Sequence, residues 1–350
     1  MVGLTAALRT DVESTPARLP VLRVSDLKTW FMTDAGPVRA VDGVSLAVHR
    51  GETLAVVGES GSGKSVTGLT VMRLLGRTTA KVMGGEILFT GKDGRERDLL
   101  RLSEEQMREV RGGDIAMIFQ DPMSSLNPVF TVGDQIAESI EVHQRKRRAE
   151  ALQMAEGLLA KVGIADPARR VRDYPHQMSG GMRQRVMIAM ALACDPVLLL
   201  ADEPTTALDV TIQSQIMRLL KALQVERQMG MIFVSHDLGL VAEIADHIAV
   251  MYAGQVVEEG DVDEVLNSPR HPYTRALLRC IPHRDYAPPE ARAVLTPIPG
   301  TTPSLLDPPK GCRFSPRCEF ALEACRAGPI PLEDTGGGHT SRCIRWRVLQ

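Results

Sequence analysis

The sequence predicts an α/β fold in which a parallel sheet is joined by an antiparallel β layer, an α-helical insert and a cysteine-containing C-terminal tail. Three observations predict it. Short runs at 115–119 ("IAMIF"), 197–201 ("VLLLA") and 231–235 ("MIFVS") are almost wholly apolar, as strands buried on both faces of a parallel sheet must be. Helical patterns follow the last two, at 210–226 ("VTIQSQIMRLLKALQVE") and 238–247 ("LGLVAEIADH"), which is the alternation of parallel crossovers. A glycine-rich stretch at 58–65 lies between a further apolar run and a further helical pattern.

The elements follow in order. Residues 1–20 read as a loose leader, because their apolar stretch is too short for a signal peptide. "VLRVSDLKTWFM", "VRAVDGVSLAV" and "TLAVV" fill 21–57, and "GGEILFTG" spans 84–91. These β-like runs are expected to form a mainly antiparallel layer around the glycine-rich loop. The strongest pattern over 125–180 is helical, which predicts an insert between two strands of the sheet, bounded at about 125–190. Within it, "QRKRRAE" reads as a solvated helix face. "IAVMYAGQVVEEG" (248–260) reads as a hairpin. From about 281 proline and glycine accumulate and periodicity fades, so one domain is expected over 21–280 and an extension over 281–350.

Forty-one Lys and Arg stand against 43 Asp and Glu, a formal net charge of −2. That balance gives no general attraction to nucleic acid. No apolar run approaches the length that crosses a bilayer; "VLLLA" ends in Asp202 and Glu203. A soluble cytoplasmic protein is expected, with any membrane role arising through a partner. Six cysteines are present. Cys194 and Cys280 fall in apolar helical patterns and read as packing residues, whereas Cys312, Cys318, Cys325 and Cys343 crowd the last forty residues.

The chemistry starts at "GESGSGKS" (58–65), a Gly-x-x-x-x-Gly-Lys-Ser loop between a strand and a helix. Glycines let backbone amides approach phosphate oxygens. Lys64 supplies a point charge for the β- and γ-phosphates, and Ser65 a hydroxyl for Mg²⁺. Ser60, Gly61, Gly63, Lys64, Ser65 and Val66 are the expected phosphate-site residues. "VLLLADEP" places Asp202 at a strand end to hold Mg²⁺, and Glu203 beyond it to polarise an attacking water. His236, at the end of "MIFVSHD", is placed to donate to the γ-phosphate, because ligands collect at this edge of an α/β sheet. Gln120, at the end of "IAMIFQD", is placed to reach Mg²⁺ or the water. The guanine-reading pattern Asn-Lys-x-Asp is absent, which favours ATP over GTP. Ser179, Gly180 and Gly181 open another helix and present bare N–H groups to an anion.

Together these residues resemble the ATP-binding cassette (ABC) family over roughly residues 20 to 280, which implies a P-loop ATPase core. Gly58 to Ser65 resembles its Walker A loop and "VLLLADE" its Walker B strand. Gln120 resembles the Q-loop glutamine and His236 the switch histidine, while Asp209 ends a D-loop-like "TTALD". "MSGGMRQR" resembles the Leu-Ser-Gly-Gly-Gln signature, with Met178 and Met182 in the outer positions. Phe31 lies where the family sets an aromatic ring against adenine, with Trp30 the neighbouring alternative. The resemblance implies two cassettes stacked head to tail, the Ser179-Gly180-Gly181 helix start of one facing the γ-phosphate held by the other. The roughly half positive charge of a helix N-terminus would favour ATP over its product there.

"QDPMSSLNP" (120–128), "SPRHPYTRALL" (268–278) and "PIPGTTPSLLDPPKGCRFSPRC" (297–318) resemble ATPase subunits of bacterial dipeptide and oligopeptide importers. This implies a translocase subunit peripheral to the cytoplasmic face of the inner membrane. Its implied partners are a second, homologous ATPase in a heterodimer, two transmembrane permeases and an extracytoplasmic peptide-binding protein. Nickel or another small solute is an alternative cargo, and a soluble ABC ATPase acting on nucleic acid an alternative function. Disulfides are disfavoured in that compartment, and the tail lacks the close Cys pairs usual for structural zinc. A [4Fe–4S] cluster on Cys312, Cys318, Cys325 and Cys343 is therefore expected, supported by the resemblance; Zn²⁺ and unligated thiols stay open.

Overall fold

The structure is a computed structural model and describes residues 20–76, 78–121, 125–206, 208–280 and 297–349. The leader expected before Pro20 and the boundary expected near 281 lie outside the described residues. In chain order the elements are β1 (Leu22–Thr33), β2 (Gly36–Val48), β3 (Thr53–Val57), α1 (Lys64–Val71), β4 (Ala80–Thr90), β5 (Glu96–Asp98), α2 (Glu104–Val110) and β6 (Ile115–Ile118). The helical segment follows as α3 (Val132–Gln144), α4 (Arg148–Lys161), α5 (Pro167–Arg170) and α6 (Gly180–Ala191). Then come β7 (Leu198–Asp202), α7 (Val210–Arg227), β8 (Gly230–Ser235), α8 (Leu238–Ile244), β9 (His247–Tyr252), β10 (Gln255–Asp261), α9 (Val262–Asn267) and α10 (Pro272–Arg279). The tail carries α11 (Ala324–Ala327), β11 (Glu333–Asp334) and β12 (Thr340–Ser341).

One sheet is antiparallel, in the order β2-β1-β4-β5. The other runs β11-β12-β10-β9-β3-β8-β7-β6, with β9, β3, β8, β7 and β6 mutually parallel. The structure moves one expected element: "TLAVV" is not part of the antiparallel layer but β3, between β9 and β8. Its burial explains the placement. All five residues are buried, with Leu54 and Val56 facing the antiparallel sheet's core and Ala55 and Val57 the helical core. A strand covered on both faces carries no polar alternation, so it belongs with β7 and β8. In β1, by contrast, buried and exposed residues roughly alternate, because only one face meets a core.

Helix starts follow short polar side chains that accept the orphan N–H groups of the first turn. Thr131 accepts from Asp134, Asp209 from Ile212 and Asp237 from Gly239. Apolar faces of α3, α4, α6 and α7 close one side of the parallel sheet around Ile136, Leu159, Val186 and Leu220.

The tail is welded to this body. β12 extends the large sheet by pairing with β10, Ser341 opposite Glu258. Glu258 and His339 are fully buried, and His339 Nε2 lies 2.8 Å from Glu258 Oε1. The same carboxylate accepts the backbone N–H groups of Arg270 and His271, so it joins three chain segments. A buried acceptor that loses a partner costs about 2 kcal/mol. His339→Ala should therefore lower thermal stability by several degrees and expose the tail to proteolysis; an unchanged melting temperature would show that the contact does not anchor it.

Candidate active site

Parallel pairing brings three strand ends to one edge. Val57 of β3 lies opposite Ser235 of β8, and Val234 opposite Asp202 of β7, so the loops after all three strands converge.

The loop after β3 needs its glycines for room. Gly58 has φ 154°, and a Cβ there would sit 2.1 Å from the Met251 carbonyl oxygen. Gly63 has φ 104°, and its Cβ would sit 2.4 Å from the Ala40 carbonyl. Either substitution would displace the loop. Ser60 and Gly61 are exposed at the loop tip, while Lys64 is buried at the start of α1. Its Nζ donates to the Gly58 and Glu59 carbonyls at 2.8 and 3.1 Å. Burial pulls its pKa down, against the opposing fields of Glu203, Asp202 and Glu59. The Ser65 hydroxyl donates to Asp202 Oδ1 at 2.9 Å. Asp202 is buried, and burial pushes its pKa up despite the Ser65 bond. Val66 packs against the core beneath the antiparallel sheet.

Glu203 adopts a left-handed backbone, φ 46°, which turns the chain sharply at the end of β7. Its N–H donates to the Val234 carbonyl at 3.0 Å. Its Oε2 accepts from Gln120 Nε2 and from the Thr206 hydroxyl, both at 3.0 Å, and lies 3.4 Å from His236 Nδ1. Residues from three separate strand ends thus meet at one carboxylate oxygen. Thr206 was not among the sequence candidates, although a hydroxyl three residues past the carboxylate in a tight turn is a readable signal. Glu59 and Tyr273 also escaped notice: the Tyr273 hydroxyl accepts the Glu59 N–H at 2.8 Å, and nothing local to either announces it.

Ser179 caps α6, its Oγ accepting from the Met182 N–H at 3.3 Å. Ser179 and Gly180 are exposed, and a Cβ on Gly181 would lie 3.0 Å from Ile212 of α7. The helix start therefore shares one surface with the first turn of α7, which Asp209 caps. On β1, Trp30 lies under the Arg39 guanidinium at 5.1 Å; Phe31 is its half-exposed neighbour on the opposite strand face.

Cys312, Cys318, Cys325 and Cys343 line one small cavity of about 20 Å³ with Phe314 and His271. All four are free thiols. Burial pushes Cys312 and Cys343 up to about 11 and raises Cys318. Among the described residues, no group of three or more His, Cys, Asp or Glu side chains is set to hold a metal ion. Cys194 is buried in the helical core, as expected.

The chain is similar to known proteins. The profile of the ABC transporter family matches residues 41–206, and that of the oligopeptide/dipeptide transporter C-terminal region matches 257–325. A protein of Brucella melitensis named for peptide import ATP binding is 54% identical over 95% of this chain and 99% of its own. The dipeptide transport ATP-binding protein DppD of Escherichia coli is 50% identical over 93% of this chain and 96% of its own. Among solved structures, the ATP-binding cassette MJ0796, dimeric and bound to ADP and phosphate, superimposes with a TM-score of 0.60 at 28% identity, covering 69% of this chain and 98% of that one. The cbiO1 subunit from Clostridium perfringens gives a TM-score of 0.59 at 29% identity, over 71% of this chain and 91% of that one. With its glycine-rich loop, paired carboxylates and converging glutamine and histidine, the chain belongs to the ABC transporter family and is an ATPase carrying the oligopeptide/dipeptide transporter C-terminal region.

Proposed function

We propose that this ATPase powers peptide uptake: ATP binding and hydrolysis at the edge of β3, β7 and β8 drive a membrane importer of dipeptides or oligopeptides. The observation that carries the catalytic part is the meeting of Gln120, Thr206 and His236 at Glu203. In this reading Glu203 polarises the attacking water. Gln120 and His236 sense the γ-phosphate end of the site, and Lys64 exchanges its two loop carbonyls for phosphate oxygens. Phe31, or Trp30 beside it, faces the adenine.

The residues present fit a Mg²⁺ ion. Ser65 and Asp202 already share a hydrogen bond, and a cation would relieve the burial that raises the Asp202 pKa. Ser65, Asp202 and the Gln120 amide oxygen would hold it. When bound, the ion neutralises charge on the β- and γ-phosphates.

The exposed helix start at Ser179, Gly180 and Gly181, together with Asp209, supports a second nucleotide contact across a dimer. The partner is a homologous ATPase, and the pair docks two transmembrane permeases served by an extracytoplasmic peptide-binding protein. Among the described residues no helix is long and apolar enough to cross a membrane, in keeping with a peripheral place on the cytoplasmic face through those permeases. Nucleic acid has no part in this reading. The division into a nucleotide-binding domain over 21–280 and an extension from 281 belongs to it as well. The peptide cargo rests on the names of the relatives.

A [4Fe–4S] cluster on the four tail thiols belongs to the same reading, with Zn²⁺ the alternative. What supports it is that all four line one pocket. The raised pKa values of Cys312, Cys318 and Cys343 mean that ligation by these thiols would release protons. The cluster's part would be structural, cross-linking a proline-rich segment.

Glu203→Gln should keep ATP binding, lower steady-state hydrolysis at least about a hundredfold and accumulate a nucleotide-bound dimer on size exclusion. Near-normal turnover would remove Glu203 from its role. Anaerobically purified protein should be brown and contain about four iron and four sulfide per chain. Colourless protein with one zinc would replace the cluster by that ion.

A further inference from the structure

The tail holds the phosphate loop itself. Arg317, next to Cys318 in sequence, donates through Nη1 and Nη2 to the two carboxylate oxygens of Glu59 at 2.7 and 3.0 Å. Its side chain is 5% exposed. Nε donates to the Pro299 carbonyl at 2.9 Å, Nη2 to the Ile298 carbonyl at 3.3 Å and Nη1 to the Tyr252 hydroxyl at 3.2 Å. Phe314, Tyr252 and Tyr273 pack ring against ring beneath it, with centroids 4.5 to 5.3 Å apart. Thr302 adds a hydroxyl to Glu59 Oε2 at 3.3 Å. Arg313 ties the same segment to Asp42 and to the Ala253 carbonyl, next to Gly254, whose N–H donates to the Ser62 carbonyl of the loop at 2.8 Å.

Glu59 is therefore gripped at every polar group. Tyr273 accepts its N–H, Lys64 donates to its carbonyl and Arg317 clamps its carboxylate. The position is electrostatically awkward. A carboxylate in a loop that receives phosphates repels them, and its field reaches the Lys64 ammonium. Fork-to-fork pairing with a guanidinium answers both problems. It fixes the side chain away from the phosphates and cancels its charge.

We propose that Arg317 is a positioning residue of the nucleotide site: acting through Glu59, it sets the affinity of the phosphate loop from 258 positions downstream. The C-terminal region is thereby part of the ATP site and not only an appendage beside it. This rests on the reading of Gly58 to Ser65 as the phosphate loop.

The test is ATP titration calorimetry on the full chain. Arg317→Gln, which keeps a polar side chain with two donors and removes the charge, should weaken ATP binding about tenfold. Glu59→Gln removes the repelling charge and leaves the guanidinium, so it should tighten binding about threefold. The double variant should fall between the two, and Arg317→Lys should recover most of the affinity lost in Arg317→Gln. A purely structural brace would make both single changes weaken binding. That pattern, or wild-type affinity in Arg317→Gln, overturns the proposal. Should Arg317→Gln fail to fold, the sign of the Glu59→Gln effect still decides. Lys64→Ala serves as the reference. If it loses ATP while the other variants bind like wild type, only the Arg317 proposal fails; if it keeps ATP, the phosphate-loop reading itself fails.

Discussion

A buried ammonium organises this molecule. Lys64 sits at the foot of α1, at the carboxyl edge of the parallel sheet, and an ion there must be matched by fixed polar groups. Two loop carbonyls supply contacts, and Asp202, Glu203 and Glu59 supply the opposing field. Matching it demands that β3, β7 and β8 end together, which in turn demands strands buried on both faces. The loop can wrap so closely only because Gly58 and Gly63 have no Cβ to meet the Met251 and Ala40 carbonyls.

The same edge gathers the groups proposed to handle water. Glu203 leaves its strand through a left-handed turn, and Gln120, Thr206 and His236 close on one of its oxygens. Each comes from a different loop, so small shifts between strands would be felt at that oxygen. A site of this kind couples chemistry to the relative placement of elements.

Among the described residues, polar anchors of different reach bind the C-terminal region into the cassette. Glu258 and His339 join it to β10, Arg313 joins it to β2, and Arg317 joins it to the phosphate loop. Between the anchors lies the cavity of four thiols, walled by Phe314 and His271. Regular secondary structure is sparse in the described tail, so side-chain anchors carry the work that helices and sheets do elsewhere.

Much of this was legible in the chain. Continuous apolar runs marked β6, β7 and β8, and the glycine-lysine-serine pattern marked the loop between β3 and α1, because both patterns depend on local geometry. Gln120, Asp202, Glu203 and His236 were singled out because each ends or follows such a run, and parallel pairing brings those run ends to one edge. The placement of β3 was misread: five apolar residues look alike beside an antiparallel layer or inside a parallel one. Only the cores on either side decide. Arg317 and Glu59, Tyr273 and the phosphate loop, and Glu258 and His339 were invisible for a related reason. Their partners lie 258, 214 and 81 positions apart. By itself the sequence determined which short segments make strands, which glycine-rich loop lies between a strand and a helix and which carboxylates end the buried strand near it. Only the tertiary structure decided what neutralises and holds that loop, because a long-range ion pair leaves no periodicity and exists only once the sheet and tail have closed.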